Sequence, residues 1–242
     1  MEARGIEVSR GGVSVLRGVS LSLCSGRVVG LLGPTGAGKT TLFEVLVGNV
    51  FPDVGGVYLD GVDVVRYPMW RRVRLGVGYV PQVPSVLPDL SVRDNLVSFE
   101  RLVGGDVRGA GYWSELVGLS AKLGVRVGSL SGGERRLLEI ARSLVARPRV
   151  LVCDEPFSGI DPVVAIRVSG LLRGLARDGM AVLLSDHHAK VAFGVCEEVG
   201  VILDGVIWRW GTPRDVALDG VVRERYLGGV LDGVSGGGGG DG

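Results

Sequence analysis

The segment VVGLLGPTGAGKTTLFEVLVG (28–48) constrains this chain more than any other. Its first five residues, Val28–Leu32, are continuously apolar and read as a strand covered on both faces. The strand runs directly into a glycine-rich loop that opens a helix. That loop, Gly33-Pro34-Thr35-Gly36-Ala37-Gly38-Lys39-Thr40, has the spacing G-x-x-x-x-G-K-[ST]. With no side chains at Gly36 and Gly38, successive backbone N–H groups can curl around phosphate oxygens at the helix N-terminus. Lys39 is expected to reach the β- and γ-phosphates, while Thr40, followed by Thr41, offers a hydroxyl to Mg2+. A plain glycine turn would require neither the Lys-Thr pair nor the strand-to-helix setting.

The remainder of the chain is consistent with one such site in one domain. Its 242 residues, 46% hydrophobic, allow a single large α/β domain or a domain with an inserted subdomain, and exclude wholesale disorder. The formal net charge of +1 gives no reason to expect a nucleic-acid partner. The mean hydropathy is positive (+0.35). Even so, no apolar run reaches the roughly 18 residues that a spanning helix needs, so direct membrane insertion is not expected. The opening MEARGIEVSRGG lacks the apolar core of a secretory signal. Three scattered cysteines, Cys24, Cys153 and Cys196, suit a reducing compartment and give neither a disulfide framework nor a zinc spacing. The expectation is a cytosolic globular protein. The excess of 24 arginines over three lysines reads as genomic base composition.

Periodicity organises the chain. Segments 13–16 and 19–23 alternate with period two, and 57–59, 77–80, 150–153 and 181–185 read as further strands. Asp60-Gly61 and Asp204-Gly205 are turn signals, the second inside a closing hairpin of 199–203 and 206–208. From 89 to 145 the apolar residues Leu90, Leu96, Val97, Leu116, Leu119, Leu137, Ile140, Ala141 and Leu144 recur at helical spacing, broken by the glycine-rich patch 104–111. The segment 101–128 is short and glycine-rich, and frayed helices are expected there. A helix is expected near 163–177 and helical turns over 213–227. The tail GVSGGGGGDG (233–242) has nothing to bury and is expected to be disordered. The pattern is a parallel-sheet α/β core with a helical insertion.

Four further motifs carry chemistry. VLVCDEP (150–156) ends a strand in two carboxylates. Asp154 is placed to hold Mg2+ through water and Glu155 to polarise an attacking water as general base. Taken alone, the two acids would equally suit a solvated helix start. LSGGERR (130–136) places Ser131, Gly132 and Gly133 before a helix, the logic of a second anion site. The same residues also make a capping box, Ser131 with Glu134, and both readings can hold at once. Gln82, after the strand GYV, is placed to reach Mg2+ or the attacking water, and His187, after AVLLS, to approach the γ-phosphate. Singly, a Gln or His there is an ordinary surface residue; the order of all the motifs lifts them. His188 reads as solvated.

In this order the residues resemble the ATPase subunits of ABC transporters over about 6–228. The resemblance covers the Walker A loop (33–40), the Q-loop Gln82, the signature LSGGE (130–134), Walker B (150–155), the D-loop Ser158 to Asp161 and the switch His187. It implies a P-loop NTPase (RecA-like) parallel sheet core with an antiparallel β subdomain and an inserted helical subdomain. The nucleotide-binding core would be 1–84 and 147–228, the helical signature subdomain 85–146, and the disordered tail 229–242. It further implies ATP and Mg2+, with Thr40, Gln82 and Asp154 around the metal and Glu155, Gln82 and His187 around the chemistry. The assembly implied is a head-to-tail homodimer. Each ATP lies between Walker A of one subunit and Ser131, Gly132 and Gly133 of the other, Asp161 lies near the seam, and two integral membrane subunits complete it.

A finer resemblance, in 78–96, 130–144, DEPFSGIDP (154–162), SDHH (185–188), GTP (211–213) and VVRERYLG (221–228), is to the lipopolysaccharide-export ATPases of the LptB type. That family acts peripherally on the cytoplasmic face of the inner membrane. The branched-chain amino-acid uptake ATPases share the GTP and YLG endings and remain the alternative. From other classes, a soluble ABC-type protein acting on nucleic acid would need coiled-coil arms or a second cassette. A degenerate binding-only subunit is the other alternative; the filled catalytic positions argue against it, the missing adenine-stacking aromatic and the glycine enrichment for it. Two departures are visible. The adenine-stacking aromatic of the family is absent near Ser9-Arg10-Gly11, where Arg10 is the only stacking candidate, so weak discrimination against GTP is expected. The export-type C-terminal extension is replaced by the glycine tail. Val86, Leu87 and Leu90, with Tyr67, Met69 and Trp70 nearby, line either a partner groove or the subdomain core.

Overall fold

The computed structural model describes residues 1–104, 108–187 and 189–228. The expected disorder of 229–242 therefore lies outside the described residues. Strands β1 (Glu2–Arg10) and β2 (Val13–Ser22) form an antiparallel hairpin across Gly11 and Gly12. Both glycines have positive φ, 57° and 79°, as a two-residue turn of type I′ requires. Sequence periodicity missed β1 and split β2 into two pieces. The cause is irregular register. In β1 the buried residues are Ala3, Ile6 and Val8, and the pairing shifts between Ala3 and Ile6. Strict alternation is lost there. Ile6 pairs with Val19 and Glu7 with Arg17, so Gly18 bulges out of β2 and interrupts its period as well.

Next come β3 (Val28–Leu32) and α1 (Lys39–Val47). Every residue of β3 is buried. Val28 and Leu32 enter a core packed with helices, and Val29 and Leu31 enter a second core shared with α1 and the first hairpin. Strands β4 (Val54–Leu59) and β5 (Val62–Asp63) turn at Asp60-Gly61, as expected, and complete a four-stranded antiparallel sheet in the order β2-β1-β4-β5. In α2 (Met69–Arg74), Arg72 is fully buried. Its guanidinium donates to the carbonyls of Val45 and Leu46 in the last turn of α1, and to those of Val65 and Tyr67, at 2.7–2.9 Å. Burial pulls its pKa down to about 10, which leaves it charged at neutral pH. The ends of α1 and α2 are thereby tied together.

After β6 (Val77–Val80) the chain forms α3 (Val92–Val103), α4 (Gly109–Leu116) and α5 (Gly132–Leu144), then returns through β7 (Val150–Cys153), α6 (Pro162–Arg177), β8 (Ala181–Ser185), α7 (Ala189–Val195), β9 (Glu198–Leu203), β10 (Val206–Gly211) and α8 (Pro213–Leu218). A helical turn (Gly220–Val222) and a π turn (Arg223–Leu227) follow. The main sheet has the order β10-β9-β3-β8-β7-β6. Its strands are parallel except β10, which closes the expected hairpin at Asp204-Gly205. Of the apolar residues read as a helical face, Leu96, Leu119, Leu137, Ile140, Ala141 and Leu144 are buried, whereas Leu116 is exposed. Topology sets the site. Adjacent strands β3, β8 and β7 deliver Gly33, Asp186 and Asp154 at their carboxyl ends, the edge where open α/β sheets bind ligands.

Candidate active site

At that edge a cavity of about 310 Å³ is lined by Val15, Thr35, Gly36, Gly38, Lys39, Thr40, Thr41, Gln82 and Glu155. The loop conformation depends on its glycines. Gly36 and Gly38 have φ of 81° and 107°. A Cβ at Gly38 would stand 2.7 Å from Leu16 Cδ2, and one at Gly33 would stand 2.2 Å from the Ile202 carbonyl oxygen. The Ala37 N–H donates to the Pro34 carbonyl, and the buried Lys39 Nζ to the carbonyls of Gly33 and Pro34 at 2.6 and 2.9 Å. Burial lowers the Lys39 pKa, opposed by the charges of Glu155, Asp154 and Asp186. The ammonium therefore senses all three carboxylates across the loop.

The two acids after β7 do not start a helix, which removes that reading. Asp154 is completely buried. Its Oδ1 accepts from the Ser185 hydroxyl at 2.5 Å, while Oδ2 is buried with no hydrogen-bond partner. Glu155 faces the cavity. Its Oε2 accepts from Gln82 Nε2 at 3.0 Å and lies 3.4 Å from His187 Nδ1. Glu155 adopts φ 49°, which costs a non-glycine residue about 1 kcal/mol. Its N–H donates to Ser185 Oγ, and its carbonyl accepts from Arg136 Nη2. The fold thus brings together Thr35–Thr41, Gln82, Asp154, Glu155 and His187, but not the signature residues. Ser131, Gly132 and Gly133 begin α5 away from this cavity; Gly132 instead borders a second one, of about 270 Å³, with Gln82, Ser158, Gly159 and Ile160. The capping box is present, with Glu134 N to Ser131 Oγ at 3.2 Å and Ser131 N to Glu134 Oε2 at 3.0 Å. Asp161 caps α6 by accepting from the Val163 N–H. His188 lies outside the described residues.

A model of the ABC transporter family matches residues 16–158, more than half of the chain. The chain belongs to the ABC transporter ATPases. Its relatives include the lipopolysaccharide export system ATP-binding protein LptB of Acidithiobacillus ferridurans, 42% identical over 88% of this chain and 90% of that one. LptB of Escherichia coli K12 is 37% identical over 94% of this chain and 97% of its own. A nucleotide-free ATP-binding cassette from an ABC transporter superposes with a TM-score of 0.85 at 27% identity, covering 94% of this chain and 98% of that structure. In this ABC ATPase, the P-loop fold expected from the motifs is the fold found. No described helix is long and apolar enough to cross a membrane.

The donor set fits Mg2+ with nucleotide. The Thr40 hydroxyl, the Gln82 amide oxygen and the Asp154 carboxylate are all oxygen donors, as a hard cation demands, and Asp154 Oδ2 is buried without a protein partner. Among the described residues no cluster of three or more His, Cys, Asp or Glu forms an all-protein metal site. Mg2+ held by one carboxylate and phosphates needs none.

Several residues of the site receive no role from the sequence, although Ser185 and Tyr226 lie inside the quoted motifs. Ser185 joins Asp154 to the Glu155 backbone. The hydroxyl of Tyr226, in the π turn, reaches the carbonyls of Asp186 and His187 at 3.4 and 3.5 Å, and burial pushes its pKa up to about 12. Val15 enters the cavity, whereas Arg10 pairs with Glu44 at 2.6 Å. The residues expected in either a partner groove or the subdomain core divide between the two alternatives. Val86 joins the core and Leu87 and Trp70 are exposed. Met69, also in the expected set, lines a cavity of about 360 Å³ with Val73, Tyr79, Ser85, Phe99 and Arg142, among others.

Proposed function

We propose that this chain is the ATP-hydrolysing subunit of a lipopolysaccharide exporter, attached to the cytoplasmic face of the inner membrane through integral membrane subunits. In this reading 1–84 and 147–228 hold nucleotide, and 85–146 present the signature helix. Two copies pair head to tail, so that Ser131, Gly132 and Gly133 of one complete the nucleotide site of the other. The phosphates lie on the backbone of Gly33–Thr41, including Pro34, Thr35 and Ala37, with Lys39 swinging from its own loop carbonyls to the β- and γ-phosphates. Mg2+ at Thr40, Gln82 and Asp154 would neutralise charge on those phosphates. Glu155 takes the proton of the attacking water, Gln82 orients that water, and His187 contacts the γ-phosphate.

The observation that carries the reading is the convergence of Gln82 and His187 on one carboxylate oxygen of Glu155 at the mouth of the phosphate loop. The cargo assignment rests on similarity to the two LptB proteins over most of both chains. Purifying the tagged chain from solubilised membranes and identifying its companions by mass spectrometry tests that assignment. Two export-type membrane subunits with a single-span companion are expected. Uptake permeases with a solute-binding protein would move the cargo to branched-chain amino acids.

A further inference from the structure

Arg136 stands just after the signature motif and is 6% exposed, although it is an arginine. Its guanidinium is spent on three segments that meet at the active site. Nη1 donates to the Pro81 carbonyl at 2.8 Å and to Glu139 Oε2 at 3.0 Å. Nη2 donates to the carbonyls of Gln82 and Glu155, each at 3.4 Å. One side chain therefore holds the backbones of Gln82 and Glu155, whose side chains are hydrogen-bonded to each other. It also braces Glu155 in its left-handed conformation, with Ser185 holding the other side of the same residue.

The network continues away from the nucleotide. Glu139, 4% exposed, accepts from the Ser85 N–H at 2.8 Å through its other oxygen. Arg142 donates to Ser85 Oγ at 2.9 Å and stacks on Phe99 at 4.2 Å. Ser85, Glu139, Arg142 and Phe99 all line the 360 Å³ groove. A continuous set of hydrogen bonds thus runs from the groove wall through Glu139 and Arg136 to Gln82 and Glu155. A backbone held by a charged, forked donor in a dry setting has little freedom to drift.

We infer that Arg136 is a positioning residue for ATP hydrolysis, one that sets Gln82 and Glu155 in register and ties both to the groove wall through Glu139. The inference rests on the reading of Glu155 as general base. It assigns Arg136 no contact with nucleotide, so its loss should damage turnover and leave binding intact.

The test uses the full-length chain and reads ATP affinity, kcat and melting temperature. Arg136→Met is expected to lose about 100-fold in kcat, the scale of an ångström of misplacement, with ATP affinity unchanged. Arg136→Lys keeps the charge and part of the donor set, which secures folding, and should recover about tenfold of that loss. Glu139→Gln should lower kcat in the parent and change nothing further in the Arg136→Met background. Unchanged kcat in both Arg136 variants, or affinity falling in step with kcat, would overturn the inference. Losses that multiply between Glu139 and Arg136 would overturn the link to the groove. Glu155→Gln separates the two levels: normal turnover there brings down the underlying reading, whereas an inactive Glu155→Gln beside a fully active Arg136→Met brings down this inference alone.

Discussion

Arg10 shows how a single side chain can decide a specificity. It stands where the family resemblance leads one to expect a stacking aromatic, yet its guanidinium is paired with Glu44, and the cavity wall near β2 is Val15. Val15 is aliphatic and Arg10, held by Glu44, does not line the cavity, so neither offers a stacking face to the base. Cation–π stacking from a free arginine would add only about 0.5–2 kcal/mol in any case. GTP is therefore expected to bind and be hydrolysed within about tenfold of ATP, a gap of 1.4 kcal/mol or less. Competition between the two nucleotides for a fluorescent analogue measures this, and a strong ATP preference would contradict it. At this scale the sequence was legible where chemistry is written locally. The Gly33–Thr40 loop and the Asp154-Glu155 pair can be recognised from neighbours alone. Ser185, Arg136 and Tyr226 cannot, because each acts by touching backbone that is distant in the chain.

Helix α5 has two properties that its sequence already suggested and one that it did not. The capping box forms, and the apolar residues Leu137, Ile140, Ala141 and Leu144 are buried. What was not legible is that Lys122, from a 3-10 turn, donates to Glu134 Oε1 at 2.5 Å. That bond, followed by the Ser131 backbone N–H, holds the Glu134 carboxyl below the usual carboxylate range. A carboxyl depressed in the folded state stabilises above its unfolded pKa, and the benefit is lost as pH falls through the folded value. Ser131→Ala should therefore cost about 1 kcal/mol at neutral pH in chemical denaturation. The stability gap between the parent and Glu134→Gln should close as the solution is acidified below the ordinary carboxylate range. A gap that held constant with pH would show that the carboxylate charge contributes nothing to the cap. The strands divide in the same way. The hairpins at Asp60-Gly61 and Asp204-Gly205 follow from two-residue turn chemistry, whereas β1 was hidden by its shifted register.

At the scale of the whole molecule, the order β3-β8-β7 explains why three motifs scattered from Gly33 to His187 form one site, and why Ser131 to Gly133 do not join it. Ser131 to Gly133 lie outside the cavity lined by the phosphate loop, and the proposed head-to-tail pairing would bring those of a second copy to it. Two buried arginines tie together the segments around that site. Arg72 ties α2 to the helix that follows the Gly33–Thr40 loop, and Arg136 ties the groove, through Glu139, to Gln82 and Glu155. Binding and turnover should accordingly be separable. The decisive measurement is to follow Glu155→Gln and the parent side by side in Mg-ATP, reading hydrolysis and, by light scattering, mass. The variant is expected to bind ATP, to accumulate as a dimer and to turn over about 100- to 10,000-fold more slowly, the range for loss of a general base. A variant that hydrolyses ATP at the parent rate, or that binds ATP and stays monomeric, would contradict the account.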